Sequence, residues 1–138
     1  KVNLGKAQFL EETEFNGLIF SKIDIGNPHC VCFQENMPVD LAKSCGKVLE
    51  DNFKANIEFV EVISPTKINL QVWERGSGIT LACGTGSGAS VFAGIRKNLL
   101  ANKVNVILPG GEVEVEYKDE NIFLIGKVTK VFEGTWEI

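Results

Sequence analysis

Cys83 follows a segment that ends in Glu74-Arg75, and it stands directly before Gly84-Thr85-Gly86-Ser87-Gly88. These residue types at this spacing suit chemistry on a bound anion. Glycines let the backbone bend sharply and come close to a ligand. A helix start exposes free N–H groups and positive potential. A cysteine placed there is expected to have a lowered pKa and a sizeable thiolate fraction near neutral pH. Thiolate, glycine-lined cradle and the nearby Arg75 together predict a site that holds a carboxylate and moves a proton beside it.

Each candidate has a plainer competitor. Cys83 also reads as a small buried residue at a helix start. Gly84, Thr85 and Gly86 favour the site, because successive N–H groups there form a cradle for carboxylate or phosphate. The glycine run is not a nucleotide loop: no Lys-Ser/Thr follows it, and the third glycine of a dinucleotide fingerprint is misplaced. Glu74-Arg75 is either a solvated surface pair or a clamp, with Arg75 on a carboxylate and Glu74 on an ammonium. His29, the single histidine, lies beside Cys30 and Cys32. That spacing does not suit a tetrahedral zinc site, so no metal is expected. Cys30 and Cys32 are assigned to one inward face of a strand, and Cys45 to the apolar face of a helix. Asn27 and His29, flanking Pro28, read as pocket donors or as turn residues.

The elements that must position these groups follow from the apolar periodicity. Ala7–Leu10 and Leu18–Phe20 are strand segments, separated by Glu11-Glu12-Thr13-Glu14 and by the hairpin signal Asn16-Gly17. The strand reading continues through Lys22–Gly26, breaks at Gly26–His29 and resumes at Cys30–Phe33. Pro38 with Val39-Asp40 opens a helix running to about Asp51, with Leu41, Ala42, Cys45, Val48 and Leu49 on one face. Ile57–Ile63 carries apolar groups on both faces and reads as a central strand, followed by a strand over Thr66–Glu74. From Gly84 to Leu100 the pattern is apolar all round, which predicts a buried helix. Its glycines each cost about 1 kcal/mol of helix propensity against alanine, so another demand must place them there. Further strands are expected over 104–108, 112–117, 122–126 and 127–132. The predicted class is α+β: a strongly curved, mostly antiparallel or mixed sheet wrapped around one central buried helix, with an amphipathic helix outside.

Length and composition agree with one domain over residues 1–138. The chain is 44% hydrophobic and 23% charged, which is ordinary for a globular domain. With a formal net charge of −4 and no basic stripe, a nucleic-acid surface is not expected. No apolar run is long enough for a membrane span, and no signal peptide is recognised, so the expected location is cytoplasmic. Four cysteines without regular spacing do not form a disulfide framework. Lys1 in place of a methionine suits a piece of something longer.

Three motifs carry a resemblance. At Gly26-Asn27-Pro28-His29, at Glu74-Arg75-Gly76 and at Ala82-Cys83-Gly84-Thr85-Gly86 the sequence resembles the diaminopimelate epimerases, and Lys127–Ile138 resembles that family's C-terminus. The resemblance is to the second half of the family only. It implies the C-terminal domain of a two-domain epimerase, the N-terminal domain being absent. Such enzymes interconvert LL- and meso-diaminopimelate, in lysine and peptidoglycan-precursor synthesis, without pyridoxal phosphate or metal. By resemblance, Cys83 is one of two catalytic cysteines, thiolate base for one stereoisomer and thiol acid for the other. Gly84 and Thr85 would donate N–H groups to the carboxylate beside the reacting carbon. Asn27, Asn56, Glu74 and Arg75 would hold the distal end, and His29 would line the site. The motif that carries the partner cysteine is not found, and Cys30, Cys32 and Cys45 stand in other contexts. The implied expectation is half an active site and an isolated chain that does not epimerise. Two copies could instead pair through the cleft face as a homodimer. The readings kept beside this one are a related proline or hydroxyproline racemase and a non-catalytic carboxylate-binding module.

Overall fold

The computed structural model describes residues 1–138. Ten strands and two helices follow in the order β1 (Val2–Gly5), β2 (Gln8–Phe15), β3 (Leu18–Asp24), β4 (Pro28–Phe33), α1 (Leu41–Phe53), β5 (Asn56–Ser64), β6 (Lys67–Glu74), β7 (Gly78–Ile79), α2 (Gly84–Arg96), β8 (Lys103–Leu108), β9 (Gly111–Lys118) and β10 (Asn121–Ile125). The strands form one mixed sheet in the order β1-β10-β9-β8-β6-β5-β4-β3-β2, with β7 paired to β6. Only β4 with β5 and β6 with β8 run parallel. Each parallel pair needs a crossover, and α1 and α2 supply them. The class is α+β. β1 and β2, consecutive in the chain, lie at the two ends of the sheet order and are joined by Lys6-Ala7 alone.

Local chemistry accounts for most of these elements. Asn16 and Gly17 both have positive φ, 50° and 79°, as a two-residue hairpin between β2 and β3 requires. β2 runs straight through the acidic stretch that the sequence reading took as a break. It is an edge strand, and charges suit a solvent-facing edge. Lys22 pairs with Glu11, and Lys97 with Glu12, along it. α1 begins at Leu41, after Pro38, and Lys54 closes it in the left-handed conformation with its N–H on Glu50 O. α2 stops at Arg96, four residues before the expected end. Asn98 takes a φ of 58°, and the Leu99 and Leu100 N–H groups both return to Gly94 O. That is a left-handed helix stop.

The expected strand at 127–132 is not formed. Val128, Val131, Phe132 and Trp136 are exposed, and no element follows β10. The outer edge of β10 is already taken by β1, a strand that the sequence reading missed.

The two helices lie against two separate buried clusters. β5 serves both, as expected of a central strand: Ile57 and Phe59 join the cluster that contains Leu49 of α1, and Val60 joins the cluster that contains Ala89, Val91 and Phe92 of α2. Cys30 and Cys32 fall in the α1 cluster. α2 is buried without interruption from Gly86 to Gly94 and packs on β3, β4, β5, β9 and β10.

α1 docks on β6 through a glycine. A Cβ on Gly46 would stand 2.5 Å from Trp73 Cγ and 2.6 Å from Trp73 Cβ. The indole cannot swing away freely, because its Nε1–H donates to Glu50 Oε2 at 2.7 Å. Gly46→Ala gains about 1 kcal/mol of helix propensity and meets an overpacking penalty of about 1–3 kcal/mol. The expected result is a lowered denaturant midpoint. An unchanged or raised midpoint would refute the tight docking.

Candidate functional site

β4 and β5 run parallel in a register that sets His29 opposite Asn56. Their N-terminal ends, the end of β6 and the start of α2 bring the site residues together. Cys83 is the N-cap residue of α2, with extended backbone (φ −139°, ψ 108°), and its Sγ accepts from the Gly86 N–H at 3.3 Å. Thr85 Oγ1 lies 3.7 Å from the sulfur. The Ser87 N–H and hydroxyl both donate to Cys83 O at 2.9 Å. The Gly84 and Thr85 N–H groups have no intrahelical acceptor, because the carbonyls four residues earlier precede the helix. A cradle of two free N–H groups beside a thiol is therefore present at the start of α2.

Asn27 reaches this helix start, donating from Nδ2 to Thr85 Oγ1 at a long 3.4 Å. Its Oδ1 lies 3.1 Å from His29 Nε2. His29 is 1 % exposed, and its Nδ1 lies 2.6 Å from Oε1 of the fully buried Glu58. Asn56 works as a tie: its Nδ2 donates to Pro28 O at 3.1 Å, and its Oδ1 accepts from the Arg75 N–H at 2.8 Å. Arg75 Nη1 donates to Lys54 O at 2.9 Å, which leaves the other guanidinium donors available. Glu74 Oε1 accepts from Thr80 Oγ1 at 2.5 Å. All eight residues singled out in the sequence thus stand on β4, β5, β6 and the first turn of α2, or at their ends.

The thiol departs from expectation. Burial pushes the Cys83 pKa above the ordinary cysteine value. The Gly86 N–H and Thr85 hydroxyl pull it down, while Glu58 and Glu74 push it up again. Placement at a helix start does not outweigh burial beside two acids. For an acid with a raised pKa, the neutral form persists to higher pH, so Cys83 stands here as a thiol at neutral pH. Its alkylation by iodoacetamide, followed by peptide mass spectrometry, is expected to keep rising beyond pH 9. A plateau below pH 8.5 would contradict this environment.

Glu58 is the residue that sequence reasoning missed. The signal was available: its parity puts it on the same face as Val60, in a strand buried on both faces. Burial raises its pKa, and the adjacent His29 works against that shift. Its Oε2 has no hydrogen-bond partner. No three His, Cys, Asp or Glu side chains are gathered as a metal-binding group. A cavity of about 720 Å³ lies at the other end of β4 and β5, lined by Phe33–Asn36, Val60–Ile63 and Leu99, and includes none of the site residues.

The family model described as diaminopimelate epimerase matches residues 21–131. The diaminopimelate epimerase of Halothermothrix orenii is 43% identical over 116 residues, covering 81% of this chain and 41% of that protein. That of Elusimicrobium minutum is 44% identical over 122 residues, covering 83% and 44%. The chain thus spans less than half the length of these relatives. Among solved structures, a predicted epimerase from Pseudomonas aeruginosa superposes with a TM-score of 0.64 at 13% identity, covering 88% of this chain and 52% of the other. A phenazine biosynthesis PhzF-family protein from Enterococcus faecalis gives 0.58 at 16% identity, covering 86% and 41%. At such identities the two structures speak for the fold alone. The match over residues 21–131 carries the assignment: the chain belongs to the diaminopimelate epimerase family.

Proposed function

We propose that this chain supplies one half of the active site of an enzyme that interconverts LL- and meso-diaminopimelate. The observation that carries the reading is Cys83 at the N-cap of α2, beside two free N–H groups, in a chain of this family. The sheet is read as curving around α2, because its end strands are joined by two residues and α2 is buried along most of its length. On this reading the domain presents the start of α2 as one jaw of a cleft.

The chemistry follows from stereochemistry. Inversion at Cα needs a base on one face to remove the proton and an acid on the other to return one. Cys83 acts on one face, and a second cysteine outside these residues acts on the other. In one direction the Cys83 S–H gives its proton to Cα as the opposite thiolate takes the original one. In the other direction Cys83 receives the proton. A thiol with a raised pKa suits the donor half of that cycle. The negative charge developing at Cα spreads into the substrate carboxylate, which the Gly84 and Thr85 N–H groups stabilise as an oxyanion hole would. Asn27, Asn56, Glu74 and Arg75 hold the distal amino-acid end, with His29 beside them. The Glu74-Arg75 pair favours a substrate whose distal end carries both charges over a proline-type substrate. The reaction needs neither pyridoxal phosphate nor metal.

The test is reconstitution. The chain is joined to the remaining N-terminal part of the Halothermothrix orenii relative, and conversion of LL- to meso-diaminopimelate is measured. The fusion is expected to turn over, and the isolated chain is not. Turnover by the isolated chain that depends on Cys83 would overturn the half-site part of the proposal. An inactive fusion that is folded would overturn the epimerase reading.

A further inference from the structure

Glu58 is the one fully buried carboxylate of the chain, and the chemistry proposed above leaves it without a task. It lies on the α2 face of β5, directly beneath the first turn of α2. A Cβ placed on Gly86 would stand 2.7 Å from Glu58 Oε1 and 3.1 Å from Cys83 Sγ. The carboxylate is thus under the cradle, and its one short polar contact is to His29. Burying a carboxyl without a partner is expensive, and one of its oxygens is indeed unpartnered. The structure accepts that cost for a single short contact to His29 Nδ1.

The hydrogen count along the row fixes what that contact does. Asn27 Nδ2 faces Thr85 Oγ1, so Asn27 turns its Oδ1 to His29 Nε2. A carbonyl oxygen only accepts, so His29 Nε2 carries a hydrogen. His29 Nδ1 then accepts from a protonated Glu58, the form that burial favours, or, with the ring an imidazolium, donates to an ionised one. Both arrangements carry no net charge, and in both Nε2 keeps its hydrogen. With no contact to Glu58, the ring would be free to place its hydrogen on Nδ1 and present a bare Nε2. Asn27 would then turn its NH₂ toward His29 and its oxygen toward the cradle. An acceptor there would repel a carboxylate that the cradle is built to hold.

We infer that Glu58 is a positioning residue: through His29 it fixes the Asn27 amide so that its NH₂ faces the anion cradle at Gly84 and Thr85. The inference rests on the reading of that cradle as a carboxylate site. Glu58 itself touches neither the substrate nor the reacting atoms.

His29 is the single histidine of the chain, so long-range ¹H–¹⁵N correlation on protein labelled only in histidine reports one ring. Wild type is expected to show a hydrogen on Nε2. A bare Nε2 in wild type overturns the inference without any variant. In Glu58→Met the Nε2–H form is expected to give way to a mixture of tautomers. Glu58→Gln, which can still donate to Nδ1, is expected to restore it. An Nε2–H ring unchanged in a folded Glu58→Met protein also overturns the inference. The cradle reading is tested apart from this, by alkylating Cys83 with iodoacetate and with iodoacetamide, and using half-buried Cys45 as the internal reference. Wild type is expected to favour the anionic reagent at Cys83 relative to Cys45. That preference is expected to fall about three- to tenfold in Glu58→Met, the range that one neutral hydrogen bond spans, and to return in Glu58→Gln. No preference in wild type would overturn the cradle, whereas a preference that survives in Glu58→Met would overturn the role of Glu58.

Discussion

Cys83→Ser in the fused two-domain protein is expected to lower turnover of diaminopimelate by about 10³-fold, within the range that a positioned acid–base group supplies. The substitution separates two roles that most variants would confuse. If Cys83 served only as the N-cap of α2, serine would serve as well or better, since serine is among the preferred N-cap residues. Its Oγ can accept the Gly86 N–H that Sγ accepts now. Stability should therefore hold or rise slightly, by a few tenths of a kcal/mol. A hydroxyl is a far weaker acid than a thiol and cannot cycle between donor and acceptor at neutral pH. The structural role predicts a benign change, and the catalytic role predicts a near-complete loss with folding intact. Turnover of the serine variant within about twofold of wild type, with an unchanged denaturant midpoint, would remove Cys83 from the proposed chemistry. The raised thiol pKa sharpens the same contrast. A group buried beside Glu58 and Glu74 holds its proton until something opposite draws on it, as the acid in a two-base inversion must.

The fold was legible where a local rule decided it. Asn16-Gly17 makes a hairpin because both residues tolerate positive φ. Residues 84–96 form a buried helix because no polar stripe interrupts their apolar groups. The site was legible as three motifs, and these meet at the start of α2. What sequence could not supply came from through-space relations. The acidic run at 11–14 reads as a break until β2 is seen to be an edge. The segment from 127 reads as a strand until β1 is seen to occupy the edge that it would need. The Cys83 pKa was misjudged because a helix start is visible in sequence, whereas burial and the approach of Glu58 from another strand are not. The parity of Glu58 can be read from the alternation of β5, but its meaning cannot, because the partner, His29, lies on the neighbouring strand.

The glycines of α2 show the same limit, and they carry the second large effect. In the sequence, Gly84 and Gly86 at its start read as parts of an anion cradle. Gly86 has helical backbone and its N–H already bonds the sulfur, so neither positive φ nor a free donor accounts for it. Space does. Gly86→Ala would put a Cβ 2.7 Å from Glu58 Oε1, 3.1 Å from Cys83 Sγ and 3.3 Å from Cys83 Cβ. Helix propensity alone favours the alanine by about 1 kcal/mol. Overpacking a dense interior costs about 1–3 kcal/mol, and here the struck group cannot retreat cheaply. Glu58 is held by His29 Nδ1 at 2.6 Å, and moving it breaks the one hydrogen bond of a buried carboxyl. Gly86→Ala is therefore expected to lower stability by about 1–2 kcal/mol in denaturant unfolding, and to displace both the thiol and the His29–Glu58 pair. Gly84→Ala is the matched control. Its Cβ would meet only Leu124 Cδ2, at 2.9 Å, the far end of a side chain that can turn aside. That variant should be close to neutral in stability. Should Gly86→Ala prove as stable as Gly84→Ala, or more so, the tight stacking of Glu58, Gly86 and Cys83 would be wrong, and with it the arrangement that places a buried carboxyl under the cradle.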